Sequence, residues 1–169
     1  MARDKAATRS GLDQQLATEL AELVLAQVAP EELVILDDTA WDYFADPRAT
    51  LDPRRRDEPL GFGVDVTLVC PYVLAVAGPV VTYLGSLVAD GVHDAATSVI
   101  ADRVRRLFRR PVSGYAASIA GAAPEVALTP EQGRRIRGTT LERARALGLP
   151  DAQAGVLADA IVGSLIIRS

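Results

Sequence analysis

Between Asp65 and Asp90 the chain runs for 24 residues without an Asp, Glu, Lys, Arg or His. As one helix, 66–89 is about 36 Å long, and about 20 apolar residues suffice to cross a bilayer core. Its mean hydropathy is about 1.8, and no other segment is comparable. Pro71, Gly78-Pro79 and Gly85 interrupt it. A stretch this apolar on every side belongs inside a membrane or at the centre of a protein.

The rest of the chain has amphipathic segments that can surround such a helix. The 169 residues make one domain by length, with 49% hydrophobic residues and only 5% aromatic. Ala, Val and Leu dominate that apolar content, which favours closely packed helices over an aromatic-rich β core. Leu12, Leu16, Leu20, Leu23, Val24 and Val28 fall on one helical face after the Ser10-x-x-Asp13 capping signal, and Pro30 closes the run. In 31–44, Leu33-Val34-Ile35-Leu36 permits a short buried strand, but Ala40, Trp41, Tyr43 and Phe44 suit a helix better. Asp37, Asp38, Asp42 and Asp46 make one side of this segment acidic. Prolines 47, 53 and 59 and the charged run 54–58 predict a loop over 46–61.

A third helix is expected over 92–110, striped by Val92, Ala96, Val99, Ile100, Val104, Leu107 and Phe108, and stopped by Pro111. Residues 112–128 read as a linker. Thr129-Pro130-Glu131-Gln132 is a helix start with a cap, a proline at the first position and a capping-box Gln. That helix ends at Gly148, and a last one follows Pro150, bearing Val156, Leu157, Ala160, Ile161, Leu165 and Ile166. The expected fold is all-α: five to six helices around a very hydrophobic central helix, kinked or broken near Gly78-Pro79. It divides into 1–111, the 112–128 linker, and a helical hairpin over 129–169 packed on the first helix.

Two functions follow from the two solvents open to 66–89. In the preferred one, a cytoplasmically made protein inserts this segment into the inner membrane. Val66, Leu68, Val69, Val73, Leu74, Val76, Val80, Val81, Leu84 and Leu87 then face lipid, and the chain assembles as a permeabilising or pore-forming effector. Insertion is conditional, since amphipathic helices can hide the segment until a trigger acts at the 54–58 loop or the linker. In the alternative, the chain is a soluble oligomeric interaction or scaffold module with 66–89 as core. The arginines 103, 105, 106, 109 and 110 sit where cations favour a helix C-terminus. They suit lipid head groups or an acidic partner, or else pair with the acidic 37–46 stretch. Gly155, Ala160, Gly163 and Ser164 are small enough for another helix to approach, either in a homo-oligomer or within the monomer.

Other classes find little support. A net charge of −4 gives no general reason to expect nucleic acid. One cysteine, Cys70, excludes an internal disulfide, and the first 30 residues are charged and periodic, unlike a secretory signal. Cys70 and His93 are the only cysteine and histidine, so a zinc site has too few ligands, and a thiol in an apolar run is usually packing. Asp37, Asp38 and Asp42 lack calcium-loop spacing, and Gly61-Phe62-Gly63 lacks the third glycine of a nucleotide loop. No catalytic residue, metal site, cofactor or small-molecule substrate is expected.

Overall fold

The computed structural model describes residues 2–52, 68–90, 97–109 and 126–168, with side chains from Arg9 onward and not at Thr97. The fold is all-α. Among the described residues it comprises α1 (Ala2–Val28), a 3-10 helix (Pro30–Ile35), α2 (Leu36–Ala45), α3 (Pro47–Leu51), α4 (Cys70–Ala89), α5 (Thr97–Arg106), α6 (Pro130–Ala146) and α7 (Asp151–Gly163).

The apolar segment is the central helix. α4 packs against α1, α2, α3, α5 and α6. Its first turns are buried all round, from Cys70 to Ala77; beyond them Val80, Val81, Leu84 and Val88 form a single inward line. The outward line is Pro79, Thr82 and Ser86. The helix runs unbroken through Gly78-Pro79 with Pro79 inside it, so of the kink or break expected there the break does not occur. Nearby side chains take up helix carbonyls: the Thr82 hydroxyl donates to Gly78 O at 3.1 Å, and the Ser86 hydroxyl donates to Tyr83 O at 2.7 Å. Opposite lie Leu16, Leu20 and Val24 of α1, spaced i, i+4, i+8, with Ala17 and Ala21 beside them.

The start of α4 is closed from outside the helix. A helix leaves its first N–H groups without intrahelical acceptors. Pro71 has none to satisfy, and the Tyr72 and Val73 N–H groups both donate to Val69 O at 3.0 Å. The Val69 and Cys70 N–H groups donate to the two carboxylate oxygens of Glu32, at 2.9 and 2.6 Å. Glu32 is only 6% exposed, so this carboxylate is held inside the fold by α4 itself.

Four local expectations are corrected. α1 begins at Ala2 and not at Ser10, because the Ala, Arg and Lys of 2–9 are good helix formers and carry the helix past the capping signal. The 46–61 loop begins as a helix: Asp46 accepts from the Ala49 N–H at 3.0 Å and Pro47 takes the first position, both start signals. α5 stops at Arg106, and Phe108 is extended opposite Leu165. α7 stops at Gly163, Ser164 caps it, and 165–168 is an extended tail, where Ile166 and Ile167 suit β geometry. The tail bonds on both sides: Ile166 N–H to Leu107 O (2.8 Å), Arg109 N–H to Ser164 O (2.7 Å), Leu128 N–H to Ile166 O (2.9 Å) and Arg168 N–H to Leu128 O (2.9 Å).

The α6–α7 hairpin packs on α1 through α7 and on α4 through α6, and its Ile136, Leu157, Ile161 and Leu165 share one core with α1 and α4. The capping box of α6 is complete, with the Gln132 N–H donating to Thr129 Oγ1 (3.2 Å) and the Thr129 N–H to Gln132 Oε1 (2.8 Å). Gly148 takes φ 89° after α6, a left-handed turn that a side chain disfavours.

Candidate functional site

The outer face of the 3-10 helix and α2 is where this fold departs from ordinary burial. Pro30 starts the segment, and Leu36 and Ala40 anchor it inward, joined at the edge of the core by Leu33, Tyr43 and Phe44. The Tyr43 and Phe44 rings meet edge-on at 5.4 Å. Burial raises the Tyr43 hydroxyl pKa, against the opposing pull of Arg143. With that side turned in, the 3.6-residue period turns Val34, Asp37, Asp38, Trp41 and Asp42 out. Val34 is 81% exposed and Trp41 79%. Asp37, Asp38 and Asp42 make no ion pair among the described residues. An open groove beside Trp41 runs between α2 and α1, lined by Gln14, Gln15, Thr18, Ala40 and Phe44.

A second exposed face lies on α5, where Val99 is 42% exposed and Arg103 and Arg106 point to solvent. Arg105 turns inward: its Nε donates to both Glu19 oxygens on α1, at 3.0 and 3.1 Å, and an Nη donates to Asp102 at 3.2 Å. The pairing of this cluster is therefore with α1, and the acidic 37–46 stretch takes no part in it among the described residues. The reason is packing: α5 lies against α1 and α4. Arg109 is exposed, and Arg110 lies outside the described residues.

Of the residues expected to meet lipid, Val73, Leu74, Val76, Val80, Val81 and Leu84 are buried in protein. Val69 and Leu87 are half-buried, Leu68 is 38% exposed, and Val66 lies outside the described residues. Of the small residues of α7, Ala160 and Ser164 are buried within the chain. Gln27 of α1 donates to Ser164 Oγ at 2.7 Å, Ser164 in turn donates to Ala160 O at 2.9 Å, and a Cβ on Gly163 would approach Gln27 to 3.3 Å. Their small size thus serves the α1–α7 contact, while Gly155 is half-buried beside the exposed Val156.

Cys70 is fully buried at the start of α4. Burial pushes its thiol pKa up from 9.0 to about 11; the Thr39 hydroxyl bonded to the sulfur opposes that rise, and nearby Glu32 adds to it. The thiol is therefore protonated at neutral pH, and inert packing suits it better than nucleophilic chemistry. Among the described residues no three His, Cys, Asp or Glu side chains are grouped to hold a metal ion. His93 and Gly61-Phe62-Gly63 lie outside the described residues, as do residues 54–58 and most of the 112–128 segment.

From the sequence, Trp41 is expected in a helix with no side assigned to it, so the exposed Val34–Trp41 face is not singled out. The signal was present: Trp41 lies four residues after Asp37 and three after Asp38, on their side of a helix. No known protein family, curated protein or solved structure matches this chain.

Proposed function

We propose that this protein is a soluble helical interaction module, with α4 as its core and the outer face of the 3-10 helix and α2 as its docking surface. The observation that carries this reading is the exposed Val34 and Trp41, at 81% and 79%, set among three aspartates. Tryptophan is the side chain most enriched at the energetic centres of protein interfaces, and an apolar pair rimmed by charge is the pattern of a docking surface. The placement of α4 supports it. Most of its aliphatic side chains are already covered by amphipathic helices, and a buried Glu32 carboxylate grips its first N–H groups. Inserting α4 would require breaking both arrangements, and a carboxylate carried into lipid is expensive.

One observation favours the membrane-active reading instead. α4 has 20 residues and mean hydropathy 1.7. Its outward Thr82 and Ser86 hydroxyls already donate to backbone carbonyls, as they must in lipid. Vesicle flotation of the full-length chain separates the two. With vesicles of anionic and zwitterionic lipid, at neutral and acidic pH, the interaction module stays in the aqueous fraction. Its Trp41 emission stays that of an exposed ring. Flotation that survives high-salt and carbonate washing, with leakage of a trapped dye, would overturn the soluble reading.

A further inference from the structure

Resting on the interaction reading, we infer that the occupant of the acidic α2 face is the α5 face of a second copy of this chain. The two faces carry matching patterns. On the 3-10 helix and α2, the exposed side chains at spacings of four and three are Val34, Asp38 and Trp41. On α5 the same spacings give Val99, Arg103 and Arg106, also exposed. Laid side by side in parallel, apolar meets apolar at Val34 and Val99, opposite charges meet at Asp38 and Arg103, and the Arg106 guanidinium meets the Trp41 ring. Indole is the best of the aromatic faces for a cation, and guanidinium its more frequent partner. Asp37 and Asp42 add further negative charge beside the α2 face.

None of these side chains has an ion-pair partner among the described residues, and α2 and α5 do not form a substantial contact within the fold. Every copy presents both faces, so the contact is heterologous in a chain of copies and isologous in a closed pair. It propagates head to tail, or closes into a two-fold dimer where both faces engage the same partner. Two helix faces alone make a small interface, so the association is weak, dependent on concentration and screened by salt.

Sedimentation equilibrium of the full-length chain tests this. At about 50 mM salt the weight-average mass rises between about 10 µM and 1 mM protein, and at about 500 mM salt it returns to the monomer value. Asp38→Arg and Arg103→Asp each place like charges in the contact and each weakens association about tenfold or more. Mixing the two variants restores it, because Arg at 38 of one meets Asp at 103 of the other, and the remaining pair is native. Both substitutions are on exposed side chains, and unchanged far-UV circular dichroism and melting confirm that each variant is folded. A wild-type chain that stays monomeric throughout, variants that associate as well as wild type, or a mixture no better than its components would overturn the inference. A chain that remains aqueous in flotation yet stays monomeric here loses only this partner, whereas one that inserts into vesicles loses the interaction reading itself.

Discussion

Replacing Glu32 by alanine should be among the most damaging single changes outside the aliphatic core. The carboxylate accepts two backbone N–H bonds, from Val69 at 2.9 Å and Cys70 at 2.6 Å, and is 6% exposed. A hydrogen bond to a charged group contributes about 1.5–3 kcal/mol, so the pair amounts to about 3–6 kcal/mol. Removing the carboxylate also relieves its burial, and water can reach the freed Val69 N–H, which lies near the half-buried surface. The expected net loss is about 3 kcal/mol, which for a chain of this size lowers Tm by about 6–12 °C. Glu32→Gln keeps one acceptor and should fall between wild type and alanine. Thermal and urea unfolding followed by circular dichroism measure both, and the rate of Cys70 modification by a thiol reagent reports whether the start of α4 opens first. An alanine variant within about 0.5 kcal/mol of wild type would show that Glu32 does not hold this helix end.

Gly148→Ala forces a side chain into φ 89°, and chemical denaturation should show a loss of about 1 kcal/mol. Thr140 is fully buried, and its hydroxyl has no hydrogen-bond partner among the described residues. The isosteric Thr140→Val should therefore stabilise by up to about 1 kcal/mol, read as a higher urea midpoint. The folded-state pKa of Cys70 is raised from 9.0 to about 11, so between those values the folded chain holds a proton that the unfolded chain has lost. Stability is accordingly full below about pH 9 and falls as pH rises towards 11. Denaturation of wild type against Cys70→Ala across pH 8–11 should show the steeper decline in wild type.

Signals that act within one turn were legible in the chain. The Thr129–Gln132 capping box, the left-handed Gly148 and the halt of α1 before Pro30 depend on neighbours no more than four residues away, and each formed as its chemistry requires. The errors came where a local signal was overruled by its surroundings. Ser10 and Asp13 had the right spacing for a helix start, but the residues before them were good enough helix formers to continue. Leu165 and Ile166 continued the apolar stripe of α7, yet the segments around Leu107 and Leu128 offered backbone partners that a helix could not use. At the candidate site, the acidic side of α2 was legible and helical spacing puts Trp41 on it, but that Val34 and Trp41 stay exposed depended on which face Leu36 and Ala40 buried.

Composition alone established that most of 66–89 would be drawn out of water and that helices would enclose whatever core formed. Periodicity then set which side chains of α1 share a stripe, because that requires only the helical repeat. A segment apolar on every side holds no such directional information, so neither its neighbours nor its exposed line could be assigned beforehand. Folding supplied both: α1, α2, α5 and α6 surround α4, and Pro79, Thr82 and Ser86 are left outward. The same holds for the bond from Glu32 to Val69 and Cys70, which spans 37 and 38 residues. No local pattern encodes a contact at that separation, since it exists only once the chain has packed.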